Sequence, residues 1–272
     1  MPILECVDAS LHFETAGSGE PLVFIHGRGG NSLLWWQQVD FFAARRHQCI
    51  VIDLRGHGMS RGVSSATAAD ESDVLCVLDA LGVGSFSAIG HSVGGVVLGG
   101  IAHAFPQRVR AAVFSCSHGG VALSAIDRGR LQASLAEVGR KVRAWKEGGR
   151  SHPALGSDFA GAHPSMARLF TWMAGINPPM PPGAPHEPSL APERFPQRSL
   201  FVCGEKDEVV PPSVVRNAAA SVQGASFVLI PESGHSPYFE HADAFNRVVA
   251  DFLDGHEGRR APGRNPLPIP FA

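Results

Sequence analysis

Short, near-continuous apolar runs alternate along this chain with longer stretches whose apolar residues recur every three or four positions. Leu22-Val23-Phe24-Ile25, Cys49-Ile50-Val51-Ile52, Phe86–Ile89, Ala111–Cys116, Leu200-Phe201-Val202-Cys203 and Phe227–Ile230 are rich in β-branched and aromatic residues. Each is followed by Gly, Asp, Pro or His, and each predicts a buried strand. Runs without polar alternation are what a parallel sheet covered on both faces requires. Helices are predicted over Ser32–Ala44, Ala69–Leu81, Val93–Ala104, Ser213–Val222 and Asp243–Leu253. The second carries Val74, Leu75, Val77, Leu78 and Leu81 and stops at Gly82; the last places Phe245, Val248, Val249 and Phe252 on one stripe. Strand and helix in alternation predict an α/β architecture, with an open, mostly parallel sheet and right-handed crossovers. Residues 2–16 predict an antiparallel hairpin before it.

One stretch breaks the alternation. No strand signal lies between Cys116 and Ser199. Arg130, Leu131, Leu135, Val138, Val142 and Trp145 follow helical spacing, whereas Asn177 to Pro196 is too dense in proline for a regular helix. So long an excursion between two strands predicts an inserted lid. The expected organisation is a core over 1–120, a lid over 121–196, the rest of the core over 197–256, and a disordered tail over 257–272, rich in Gly, Pro and Arg.

Composition narrows the function. In 272 residues, 23 Lys+Arg against 25 Asp+Glu give a net charge of −2, with no basic block. That excludes nucleic acid as the main partner and gives no drive toward an anionic membrane. No apolar run reaches the ~18 residues of a spanning helix. The first residues, with Glu5 and Asp8 and no basic segment, are unlike a signal peptide, so a cytoplasmic location is expected. The five cysteines are scattered and form no Cys-x-x-Cys pair; they read as buried small hydrophobes, with neither a disulfide framework nor a zinc site. The histidines show no His-x-x-x-His spacing, so neither metal nor cofactor is expected.

The strongest chemical signal is Gly90-His91-Ser92-Val93-Gly94-Gly95, directly between a predicted strand and a predicted helix. This is the context of a Gly-x-Ser-x-Gly nucleophile elbow, in which glycines on either side of the serine remove side chains that would collide. A nucleophilic serine needs a base, and the base needs an orienting acid. His235 follows the last predicted strand in Pro231-Glu232-Ser233-Gly234-His235, with His241 as competitor. Asp207 follows Leu200–Cys203, with Glu205 and Glu208 as alternatives. The candidate catalytic residues are therefore Ser92, Asp207 and His235. Acyl transfer also needs two N–H donors for an oxyanion. Val93, at the helix start, is one. Arg28, in the loop His26-Gly27-Arg28-Gly29-Gly30, is the other, with Gly29 second. His26 reads as orienting this loop by a hydrogen bond.

Taken together, His26–Gly30, Asp53-Leu54-Arg55-Gly56-His57-Gly58-Met59-Ser60, Gly90–Gly95, Gly204–Asp207 and Gly234-His235 resemble the α/β-hydrolase superfamily from about residue 10 to 254. The resemblance implies the α/β-hydrolase fold, a mostly parallel sheet with helices on both faces and a helical lid after the sixth strand. It gives Asp53–Ser60 only a structural turn. Relatives that cleave carbon–halogen bonds or epoxides carry aspartate at the elbow, and this chain carries Ser92. What remains is similar to small carboxylesterases, enol-lactonases and C–C bond hydrolases.

The expected substrate is a small to medium ester or lactone with an apolar or aromatic acyl group. Gly27, Trp36, His91, Trp145, Phe170, Trp172 and Met173 are the candidates for contacting it, within a wider lid set that includes Phe159, Met166, Leu169 and Met180. Residue for residue, packing the lid onto the core is the favoured reading for most of the lid set. Two alternatives stand beside this reading: hydrolysis of a C–C bond in a ring-cleavage diketone, and a non-hydrolytic ligand-binding or cofactor-free oxygenase member of the fold. The partners implied are a small molecule only, with the chain a monomer or homodimer.

Overall fold

A computed structural model of the chain describes residues 2–62, 67–148, 152–177, 189–196 and 198–255. Eight strands form one sheet: β1 (Ile3–Cys6), β2 (Ala9–Ala16), β3 (Glu20–Ile25), β4 (His47–Ile52), β5 (Phe86–His91), β6 (Val109–Ser115), β7 (Ser199–Gly204) and β8 (Ser226–Ile230). Their order is β1-β2-β4-β3-β5-β6-β7-β8. The pairs β1–β2 and β2–β4 are antiparallel, and all others are parallel. The predicted opening hairpin is therefore present, and every predicted strand lies within an observed one or overruns it by a single residue.

Alternation within the apolar runs explains why they carry so few polar residues. Val23, Ile25, Ile50, Ile52, Ala112, Phe114, Phe201 and Cys203 face one core, and their immediate neighbours Leu22, Phe24, Cys49, Val51, Ala111, Val113, Leu200 and Val202 face the other. A strand buried on both faces has no position at which a polar side chain reaches water.

Helices α1 (Trp36–Ala43), α2 (Thr67–Ala80), α3 (Val93–Ala104), α7 (Pro212–Ser221) and α9 (Ala242–Leu253) correspond to the five predicted ones. A 3-10 turn, Ser32–Trp35, opens the first. Between β6 and β7 lie α4 (Ala125–Lys146), α5 (Ser157–Ala162) and α6 (Pro164–Ala174), of which only α4 was legible as a helix in sequence. The short α8 (Pro237–Glu240) was also missed. Two of these three are too short to show a full period, and α6 begins directly after His163 with Pro164 in its first turn.

The expectation that no cysteine is paired is overturned for two of them. Cys6 closes β1, Cys76 lies in α2, and the two form a disulfide across Cα atoms 6.5 Å apart. Their separation of 70 residues hides this in the sequence, and only the packing of α2 on the hairpin brings them together. Cys49, Cys116 and Cys203 are buried free thiols. Among the described residues no helix is long and apolar enough to cross a membrane. The tail over 257–272 and Met180 lie outside the described residues.

Candidate active site

Sheet order reverses at the centre, where β3 leads outward to β4 and β5 leads the other way to β6. The loops that leave the C-terminal ends of β3 and β5 diverge there, and open α/β sheets bind ligands in that crevice. The first of these loops is Gly27–Gly30 and the second is the turn at Ser92.

Ser92 has φ 52° and ψ −117°, a left-handed conformation that a side chain rarely adopts. It is sustained by close packing beneath it. A Cβ on Gly90 would come within 2.4 Å of the Gly94 carbonyl oxygen, and one on Gly94 within 2.3 Å of the Ile25 carbonyl oxygen. The Ser92 N–H donates to the Ser115 carbonyl at 2.8 Å, which ties the turn to β6. Ser92 stays half-buried at the head of α3. A Cβ built on Gly27 would lie 3.0 Å from the Ser92 Cβ, so the β3 loop runs directly beside the serine.

That loop is held by several independent bonds. His26 Nε2 accepts the Leu54 N–H at 3.0 Å, which places the ring proton on Nδ1, and Nδ1 donates to the Gly27 carbonyl at 2.8 Å. Burial, more than the nearby His57, pushes the His26 pKa down to about 4, so the imidazole is a neutral brace. The Gly30 N–H closes the turn on the Gly27 carbonyl at 3.0 Å. The Asp53 carboxylate accepts the Ser32 N–H at 2.6 Å, the Met59 N–H at 2.9 Å and His12 Nδ1 at 2.9 Å. Asn177, just after α6, donates to the Gly29 carbonyl at 2.7 Å and accepts the Gly58 N–H at 2.7 Å. Among the described residues, no protein acceptor takes the backbone N–H of Arg28 or Val93. Two donors are thus left unused on the two loops that meet at Ser92. The Arg28 side chain is exposed.

Asp207 and His235, 28 residues apart, meet across the ends of β7 and β8: His235 Nδ1 lies 2.9 and 3.0 Å from the two carboxylate oxygens. Each residue is 5% exposed. The alternatives Glu205 and Glu208 point to solvent. Asp207 Oδ1 also accepts the N–H groups of Val209 and Val210 at 2.8 and 3.0 Å. The two loops approach backbone to backbone, since a Cβ on Gly204 would sit 1.9 Å from the Gly234 carbonyl oxygen. His91, the neighbour of Ser92, packs against His235 with ring centroids 4.7 Å apart and planes tilted by 54°, which brings the serine turn to the imidazole. Beside His235 and Asp207, between the turn at 153–158 and the loops at 205–208 and 232–235, lies a cavity of about 290 Å³.

The residues expected to contact a substrate divide. Gly27 lies at the serine. His91 is buried between His235 and Tyr238 and held neutral, by burial first and then by His235, so it backs the imidazole. Phe170 and Met173 are buried in the core, where Phe170 stands edge-on to Phe239 and α6 lies against the turn at Ser32–Trp35. Trp145 stands edge-on to His152, and His152 to Phe170. Trp172 is 69% exposed and Trp36 is 48% exposed, so both rings face away from the buried core. The reason is helical geometry: Ala167, Phe170, Met173 and Ala174 form the buried face of α6, and Trp172 falls on the opposite one. At the first helix Trp35 takes the interior, against Phe24 and Tyr238, and its successor turns outward.

Two features escaped the sequence. Glu240, in α8, is buried and accepts three backbone N–H groups around His235. Cys116, Asp207 and His235 place their donor atoms within 4.8 Å of one another, a cluster that a search for short metal-binding spacings misses. Asp207 and His235 are spent on their mutual hydrogen bond, and burial pushes the Cys116 thiol up, away from the thiolate that binds metals. The cluster reads as a packed acid–base pair over a neutral thiol.

With that geometry in hand, likeness to known proteins is informative. The sequence model described as "Alpha/beta hydrolase family" matches residues 22–248. The chain is 26% identical over 256 residues to a Mycobacterium tuberculosis protein named as a non-heme bromoperoxidase, BpoC, covering 90% of this chain and 97% of that one. It is 26% identical over 269 residues to a 2-hydroxymuconate semialdehyde hydrolase of a Pseudomonas species, covering 88% of each. The structure of a thermophilic esterase from Thermogutta terrifontis superposes with a TM-score of 0.74 at 23% identity, over 91% of this chain and 94% of that one.

Proposed function

This chain belongs to the alpha/beta hydrolase family, and on that premise we propose that it is a serine hydrolase of a carboxylic ester or lactone with an apolar or aromatic acyl group. The observation that carries the reading is the meeting of Asp207 and His235 at 2.9 Å, with the imidazole against His91, the neighbour of a serine held at φ 52°. In this reading His235 removes the Ser92 proton as Oγ attacks the carbonyl carbon. Asp207 holds the proton on Nδ1, leaving Nε2 as the base, and stabilises the imidazolium that forms. The Arg28 and Val93 N–H groups receive the oxyanion, and the head of α3 favours that charge. His235 then protonates the leaving group, and water, deprotonated by the same imidazole, releases the acyl group from Ser92. Residues 121–196 act as the lid, and the apolar acyl preference is read from the apolar and aromatic residues that this segment carries.

A second reading, hydrolysis of a C–C bond in a vinylogous diketone, draws on the name of the Pseudomonas relative and uses the same residues. Intact-mass labelling with a fluorophosphonate tests the shared core. One adduct on the wild type and none on Ser92→Ala is expected. Absence of an adduct on the wild type with both a bulky and a small probe would refute an activated serine. An ester, lactone and diketone panel then separates the two readings.

A further inference from the structure

Two buried carboxylates hold the His235 loop, Asp207 at the imidazole and a second at the backbone. The second belongs to Glu240, the last residue of α8, which is 7% exposed. Its Oε2 accepts the Gly234 N–H at 2.8 Å and the Gly156 N–H at 3.2 Å, and its Oε1 accepts the Ser236 N–H at 3.0 Å. The amides on both sides of His235 therefore converge on one carboxylate, together with an amide from the turn before α5. The Glu240 N–H returns to the Ser236 carbonyl at 2.8 Å, so α8 closes a ring that sets where the carboxylate stands. Contact with the inserted segment is close throughout. A Cβ on Gly234 would lie 2.4 Å from the Gly156 nitrogen, the Ser236 hydroxyl donates to the Ala154 carbonyl at 2.9 Å, and Lys206 bridges Asp158 and Glu232 at the rim.

Burial pushes the Glu240 carboxyl up, and the three N–H bonds and His235 oppose that shift. Donors of this kind to an ionised acceptor are roughly twice as strong as neutral ones. A glutamine has one acceptor oxygen, so its NH2 must face at least one of the three N–H groups, donor against donor.

We propose that Glu240 is a positioning residue for His235: by binding the amides of Gly234, Ser236 and Gly156 together, it sets the imidazole against Ser92 and couples it to the segment between β6 and β7. The proposal rests on the hydrolase reading above for its catalytic part, and on hydrogen bonds alone for the clamp.

The test compares wild type, Glu240→Gln and Glu240→Asp. The readouts are the rate of fluorophosphonate labelling, kcat and KM on p-nitrophenyl butyrate, thermal midpoint, and hydrogen exchange in peptides spanning 152–158 and 232–241. Glu240→Gln is expected to lower the labelling rate and kcat by about tenfold to hundredfold, the cost of an ångström-scale misplacement, with KM within about threefold. Glu240→Asp, which keeps the charge, recovers part of the rate. Exchange protection falls in both peptides together. Labelling of Glu240→Gln at the wild-type rate would overturn the positioning role even if its thermal midpoint drops, because a purely structural residue moves stability alone. Loss of protection in one peptide only would overturn the coupling. If Glu240→Gln does not fold, the same comparisons on Glu240→Asp decide the matter. A wild type that resists labelling would refute the hydrolase reading, and with it the catalytic part, while the exchange data still judge the clamp.

Discussion

Asp207→Asn is the sharpest probe of the site, because the structure dictates how the amide must sit. Oδ1 of Asp207 accepts two backbone N–H groups, from Val209 and Val210, at 2.8 and 3.0 Å. An asparagine must keep its oxygen there, since its NH2 cannot face two donors. The NH2 then takes the Oδ2 position, 2.9 Å from His235 Nδ1, where it opposes a proton on that nitrogen and competes with the retained oxygen 3.0 Å away. Where the NH2 prevails, Nδ1 becomes the acceptor, the ring proton moves to Nε2, and the imidazole presents a donor where Ser92 needs a base. In a serine protease the equivalent change costs about 10⁴ in kcat, or about 5.5 kcal/mol of transition-state stabilisation. The same order is expected here, with the fold intact because the side chains are isosteric. The assay is the fluorophosphonate labelling rate beside kcat on an activated ester, with thermal midpoint as the control for folding. A variant that keeps more than about a tenth of the wild-type rate would refute the tautomer argument. Asp207 would then be a structural acceptor for its own loop.

Two further predictions concern stability. Removing the disulfide with Cys6→Ser and Cys76→Ser opens a loop of 70 residues; chain entropy puts the loss at about 4 kcal/mol, read as a lowered urea midpoint under oxidising conditions, with an unchanged midpoint refuting a structural bond. Glu71 packs against Gly100 of α3, and burial, with Asp70 second, pushes its pKa up from 4.5 to about 7. The folded state therefore holds this proton more tightly than the unfolded chain. Its contribution is greatest below pH 4.5, falls as pH rises toward about 7, and is flat above. Glu71→Gln should thus be more stable than wild type at pH 8 by about 1 kcal/mol, a figure discounted for partial exposure, and should lose that advantage at pH 4.5. A gain independent of pH would refute the assignment.

Much of this architecture was local and therefore legible. Backbone and side-chain sterics act between neighbours. An apolar run such as Leu22–Ile25 announces a strand buried on two faces, and Gly90-His91-Ser92-Val93-Gly94 announces a turn that only glycines permit. Chain order and strand-end position narrowed the candidate acid to Asp207 against Glu205 and Glu208, and the candidate base to His235 against His241, and the structure pairs Asp207 with His235. Long-range packing decided the rest. Trp172 and Phe170 are alike in composition terms, and only the docking of α6 turned one outward and the other into the core. The Cys6–Cys76 bond depends on where α2 crosses the hairpin, and the convergence of Cys116, Asp207 and His235 on the ends of three different strands. Glu240 looks in sequence like an ordinary helix-end acid. It is buried because α8 folds back under the His235 loop and meets Gly156, 84 residues earlier in the chain. Periodicity and spacing report which face of an element is apolar; they carry no information about which distant backbone amide will lie across from a side chain, since that is set by the sum of all the packing between them.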